Sequence, residues 1–268
     1  MSKQQSKFKI RGIFVVGFLI LTFSCLFLLL FLLSYYNKNN WSTLYFEADL
    51  TRIYGNSLNE LKDAYKEIKN LDYYEVNNQF LEITNKTIPD EFLYGYEYGN
   101  IVKQKNKEGN IVYQTKCFQL SENCFSRFDI TVEEGRIFCD EDMICNSTKS
   151  IPMIVGSEYA ADLKIGDILV GKYIQNELTY EVIGILDKDA NINLGGKEVN
   201  LDRYLLIPSF DMMTVPKNES EELFQVRHYA NKLSGKLYYN SFSEFVKCYI
   251  RIDAINRNVL VSEGKIIF

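Results

Sequence analysis

Residues 151–169 read IPMIVGSEYAADLKIGDIL. Residues 151–155 alternate little and are apolar throughout, which suits a short strand covered on both sides. Gly156 ends that strand and lets a short helix begin over residues 157–163, with Ser157 as its cap and Glu158 in its first turn. Gly166 stands where a chain reversal needs positive φ or close backbone approach. Asp167 follows it, able to bond its own turn backbone and to fix the entry to a strand over residues 168–170. Nineteen residues thus spell strand, short helix, tight turn, strand.

Working outward, the period of two continues. Residues 179–186 (TYEVIGIL) put Ile183 and Ile185 on one side and Val182 and Leu186 on the other, as in a covered sheet. Residues 204–208 and 247–253 read as further strands. Upstream, residues 92–98, 100–104 and 111–115 do the same, the last two joined by a Lys107-Glu108-Gly109-Asn110 turn as a hairpin. Residues 128–132 and 136–138 flank Glu133, Glu134 and Gly135, read as a turn. Residues 47–71 carry a helical period instead: Leu50, Ile53, Tyr54, Leu58, Leu61, Tyr65, Ile68 and Leu71 recur at steps of three and four. Such a helix either packs on its own domain or continues as a stalk. Many strands with few helices predict an α+β body.

Residues 13–33, IFVVGFLILTFSCLFLLLFLL, hold 21 residues without a charge. At 1.5 Å per residue this run extends roughly 31 Å, the thickness of a hydrocarbon core. It is too long for a signal-peptide core and ends in Ser34, Tyr35 and Tyr36 rather than small residues. Lys3, Lys7, Lys9 and Arg11 precede it, with no acid before residue 36. The reading is one uncleaved transmembrane helix, N-terminus in the cytoplasm, with Tyr35, Tyr36 and Trp41 at the outer interface. The expected organisation is a basic tail over residues 1–11, a transmembrane helix over 12–36, a juxtamembrane or stalk helix over 37–72, and an extracytoplasmic domain over 73–268. No later segment is apolar enough to cross again.

The net charge is −5; outside the first 36 residues, 26 basic and 35 acidic residues give −9. That sign argues against a nucleic-acid partner. Of six cysteines, Cys25 lies in the apolar run. Cys117 with Cys124 and Cys139 with Cys145 are close enough in sequence for local disulfides in an oxidising compartment, and the alternative is that they stay reduced and pack. Cys248 is left over. No metal or cofactor motif appears. The sequence has no HExxH, GxSxG or Walker A loop, and the single His228 lies in a charged stretch read as exposed. No catalytic residue is expected, although counting alone leaves a serine–lysine pair open. Asp140, Glu141 and Asp142 read as a solvated loop.

Three stretches together resemble the extracytoplasmic domain of MacB/FtsX-type ABC transporter permeases. These are Val132 to Phe138 with Gly135-Arg136 and the acids Asp140 and Asp142 behind it, the opening stretch with Gly156, Gly166 and Asp167, and residues 180–186 followed by 205–208. The resemblance covers the anchor and most of residues 47–210. It implies a non-catalytic MacB-like core domain that transmits motion, or contacts substrates and partners, in an export or peptide-sensing complex. A cytoplasmic ATP-binding subunit and a multi-helix permease on other chains are the implied partners. Gly135, Arg136, Gly156, Gly166 and Asp167 are expected to act as fold-determining turns. Family permeases carry further transmembrane helices after this domain, and one helix forms no translocation path. The chain is therefore a fragment, has its remainder encoded separately, or acts alone. Rival readings are a membrane-tethered binding or adhesion module and, more remotely, an anchored hydrolase of the signal-peptidase kind. The richness in Lys, Asn, Ile and Tyr suggests an AT-rich bacterial genome.

Overall fold

A computed structural model describes residues 45–46, 57–99, 103–105, 111–145, 149–174, 176–194, 197–234 and 236–255. The chain divides into two compact units, Met1–Trp41 and Ser42–Phe268, and all described residues lie in the second. Among them, no helix is long and apolar enough to cross a membrane; the apolar run 13–33 lies outside them.

The architecture is α+β. Strands β1 (Tyr45–Phe46), β2 (Tyr73–Ile83), β3 (Lys103–Lys105), β4 (Ile111–Leu120), β5 (Val132–Gly135), β7 (Ile151–Val155), β8 (Ile168–Tyr173), β9 (Asn176–Leu186), β12 (Leu205–Pro208) and β14 (Lys236–Tyr239) share one mixed sheet. Its order is β1-β14-β2-β8-β9-β7-β12-β4-β3, with β5 joined to β9. Because β2 pairs with β4 as well as with β8, six of these strands close into a ring. Two small pairs stand apart: β10 (Asn191–Leu194) with β11 (Lys197–Asn200), and β6 (Ile144–Cys145) with β13 (Asp211–Met212).

Strand alternation sorts the side chains into two cores. A bulge in β9 opposite Met153 and Ile154 shifts the alternation by one residue. Val182 and Ile185 therefore face one core and Ile183 and Leu186 the other, instead of the expected pairing of Ile183 with Ile185. One face supplies Leu81, Cys117, Met153, Val182 and Leu205 to the larger core. The other supplies Tyr74, Phe118, Ile154, Leu186 and Leu206 to a second. Helices α1 (Leu58–Lys69), α3 (Glu219–Ser234) and α4 (Phe242–Ile255) add residues to the larger core, and the short α2 (Asn123–Arg127) adds Cys124 and Phe125 to the second. α1 begins where its capping box dictates. The Ser57 hydroxyl accepts from Glu60 N, and the Glu60 carboxylate accepts from Ser57 N at 2.8 Å. Its apolar stripe of Leu58, Leu61, Tyr65 and Ile68 is buried, and the helix packs against α3 and α4. The packed alternative therefore holds for this helix. A continuous helix over residues 47–71 does not form, since extended Ser57 starts it at Leu58; residues 47–56 lie outside the described ones.

Other expectations also change. Residues 247–253 lie within helix α4, where Phe245, Cys248 and Tyr249 meet the core at helical spacing. Residues 92–98 are not a strand: left-handed Gly95 and Gly99 break the run into two turns of 3₁₀ helix, Asp90–Phe92 and Tyr96–Tyr98. Glu133 and Glu134 form edge strand β5 rather than a turn, and residues 128–131 make the bend instead. The strands expected over residues 151–155, 168–170, 179–186 and 204–208 are present, some of them longer than expected. So is the β3–β4 hairpin.

Candidate functional site

Four of the turn residues singled out in the sequence, Gly135, Arg136, Gly166 and Asp167, meet one short piece of β9. Gly135 adopts φ 81°, and a Cβ there would lie 2.1 Å from the Ile183 carbonyl oxygen. The next residue, Arg136, donates its backbone N–H to that same oxygen at 3.0 Å. Gly166 adopts φ 89° and donates to Val182 O at 2.8 Å; Val182 N donates back to Asp167 O at 3.0 Å. The Asp167 carboxylate accepts from Lys164 N at 2.9 Å and closes the turn. Gly156 has φ −63°, so its need is space: a Cβ would meet the carbonyls of Leu201 and Asp202 at 2.2 Å. The short helix after it is 3₁₀, Ser157–Ala161. Ser157 does not cap it but donates its hydroxyl to Asp202 at 2.8 Å.

Arg136 grips Asp142 with both guanidinium nitrogens, Nη2 to Oδ1 at 3.0 Å. Burial opposes ionisation of Asp142, but the Arg136 bond and the Cys139 N–H hold its carboxyl below the usual range. Asp140, Glu141 and Asp142 thus sit on a braced 3₁₀ turn, Asp140–Met143, rather than a free loop. All five described cysteines carry free thiols. Cys117 and Cys124 belong to different cores on opposite faces of the sheet. Cys139 and Cys145 flank the braced turn, half-buried. Cys25 lies outside the described residues.

His228 is not exposed. It is fully buried on α3, with Nδ1 accepting from the Tyr173 hydroxyl and Nε2 donating to Phe210 O, both at 3.0 Å. Burial and the nearby Lys232 push it down to about 3, so it is neutral and both ring nitrogens are engaged. Lys232, one turn along, is also fully buried. It reaches Tyr65 Oη at 2.9 Å, Glu75 at 3.3 Å and the Ser209 hydroxyl, which itself donates to Glu75. Ser209 and Lys232 thus form a serine–lysine contact among the described residues, and it is sealed from solvent inside an ion-paired network. Its geometry pins α1 and α3 to β2 and to Ser209, the residue just past β12.

A wide opening lies elsewhere, on the outer face of β2 and β4. A cleft of about 850 Å³ is floored by Val76, Asn78, Lys116 and Phe118. One wall is the segment around Tyr94 and Tyr98; the other is the β10–β11 hairpin with Tyr204 behind it. Lys116 is almost wholly buried. It donates to Glu91 O at 2.7 Å, pairs with Glu97, and lies 5.8 and 5.9 Å from the Tyr96 and Tyr204 ring centroids. Burial works against Glu97, but the Lys116 bond keeps its carboxyl below its ordinary value. Sequence reasoning named none of these residues, because they come from four distant segments. The one local signal was the tyrosine density of residues 94–98.

No family model matches the sequence, and no curated protein matches it. Solved structures similar to it include two domains of ABC-type transporters. One is the extracellular domain of an ABC-type transporter, YknZ, from Gram-positive bacteria, at 10% identity and TM-score 0.32, covering 62% of this chain and 71% of that one. The other is the periplasmic region of MacB from Actinobacillus actinomycetemcomitans, at 11% identity and TM-score 0.31, covering 70% and 81%.

Proposed function

We propose that this chain is a non-catalytic extracytoplasmic domain of an ABC-transporter-permease-like membrane protein, tethered by residues 13–33 and working by contact. The observation that carries the reading is the charge-free run of 21 residues preceded by four basic residues and no acid, joined to a body of net charge −9. The buried state of His228 and of the Ser209–Lys232 pair supports contact over chemistry, because each is spent on holding helix to sheet. The resemblance of the Gly135-Arg136 and Gly166-Asp167 stretches to MacB/FtsX-type permeases adds the partners. These are a cytoplasmic ATP-binding subunit and a multi-helix permease on other chains. The 850 Å³ cleft favours a second reading, a tethered binding module with no ATPase. Co-purification of the full chain from its native membranes in mild detergent separates the two. The first reading predicts recovery of a nucleotide-binding subunit and a multi-helix membrane protein. Recovery of neither contradicts it and leaves the second.

A further inference from the structure

The cleft on the outer face of β2 and β4 has a composition that selects its ligand. Its floor is a sheet face rather than an edge. The β2 and β4 backbones are committed to each other from Val76–Leu120 to Ile83–Tyr113, so a peptide has no free strand edge to extend here. Its charges are already compensated. Lys116 is held by Glu97 and Glu91 O, and Arg203 Nε donates to Glu158 at 2.7 Å. Asp202 accepts from Ser157, Asp189 N and Asn200 at 2.8–3.1 Å. On the rim, exposed Lys197 and Glu198 sit side by side with opposite sign. A charged ligand would find no unpaired counter-charge on the floor.

Aromatic rings and polar uncharged groups remain. Among the described residues, every strongly exposed aromatic ring lies in this region: Phe80, Tyr94, Tyr96 and Tyr98, the last at 73% exposure. The other large exposed side chains are aliphatic and scattered through the chain. Phe80 and Tyr94 contact each other with centroids 5.8 Å apart, and Tyr204 stacks on Phe118 at 4.8 Å. Asn78 offers an exposed amide between them. The tyrosine segment is also held in place. Leu93 is fully buried and bridges to Thr115, Tyr94 N donates to Gln114 O at 2.7 Å, and Gly95 and Gly99 fix its two bends. A backbone fixed before a ligand arrives loses little freedom on binding.

We propose that this cleft binds a neutral oligosaccharide, whose flat C–H faces stack on the Tyr94 and Tyr98 rings and whose hydroxyls bond the Asn78 amide and the phenols. The volume falls within the range of about 300–1,000 Å³ usual for small-ligand sites. The inference stands apart from any ATPase partnership, and its test does not depend on one. Full-length protein in nanodiscs is titrated by calorimetry with chitotetraose at 150 mM salt. The cationic, deacetylated tetramer and a neutral alanine–glycine hexapeptide are titrated in parallel. Saturable binding of chitotetraose is expected. It should weaken at least about fivefold in Tyr98→Ala and in Tyr94→Ala, and stay unchanged in Val215→Ala, an exposed position outside the cleft. Tyr98 and Val215 are exposed enough that both variants keep the wild-type thermal midpoint, which is measured alongside. Three results overturn the proposal: no saturable chitotetraose binding by folded wild type, binding that ignores both tyrosine variants, or tighter tyrosine-dependent binding of the hexapeptide or the cationic tetramer.

Discussion

At the scale of single residues, the glycines separate two physical demands that a sequence cannot distinguish. Gly166 has a left-handed backbone but open space where a Cβ would go. Gly156 has an ordinary backbone and no space at all, while Gly135 has neither freedom nor space. Gly166→Ala is therefore expected to cost only the left-handed penalty of about 1–2 kcal/mol. Gly156→Ala must push apart two carbonyls and is expected to cost about 1–3 kcal/mol from overpacking, and Gly135→Ala more than either. Chemical denaturation of the three variants checks the order; a Gly166→Ala cost equal to that of Gly135→Ala contradicts it. His228 gives a second prediction at this scale. Its folded value, about 3, lies below the 6.5 of an exposed imidazole, so the unfolded chain binds the proton first. Lys232 and Lys62 oppose its protonation, and Asp211 favours it. The stability this neutral ring contributes is full above pH 6.5 and is lost as pH falls toward 3, with a slope approaching about 1.4 kcal/mol per pH unit. His228→Gln is expected to lower stability at pH 7 and to flatten the slope between pH 6 and 4; an unchanged slope contradicts the assignment.

At the scale of elements, the Glu75–Lys232–Ser209–Tyr65 network joins α1, α3, β2 and the residue that follows β12. Removing one partner leaves a buried charge. Lys232→Met and Glu75→Leu are each expected to cost about 3–5 kcal/mol, and the double variant much less than their sum. Additive losses in that cycle contradict the coupling. The same elements show what the sequence hides. α3 buries Phe224, Gln225, His228, Tyr229, Lys232 and Leu233 at helical spacing, but three of those six are polar, so no apolar stripe announces the helix. Residues 247–253 alternate well enough for a strand, and the longer period appears only when Phe245 is included. The turns and strands around residues 151–186 were legible because each rests on local chemistry: Gly166 for its φ, Asp167 for its bond to Lys164 N, apolar runs for covered strands. The cleft was not, because Asn78, Tyr98, Lys116 and Tyr204 meet only once β2 and β4 pair.

At the scale of the whole molecule, the account describes an acidic, closed-sheet body whose titratable interior is devoted to structure and whose exposed aromatic rings gather at one cleft. On the proposed reading such a body acts through what touches it, and it must then face the side of the membrane where its partners are. Val215 is 82% exposed and belongs to neither core, so a cysteine placed there reports location without disturbing the fold. The direct measurement is labelling of full-length Val215→Cys in intact cells with a membrane-impermeant maleimide, set against the unsubstituted chain to subtract Cys139 and Cys145. The account predicts labelling of intact cells equal to that after lysis. Labelling that appears only after the membrane is broken would place the body in the cytoplasm and contradict it.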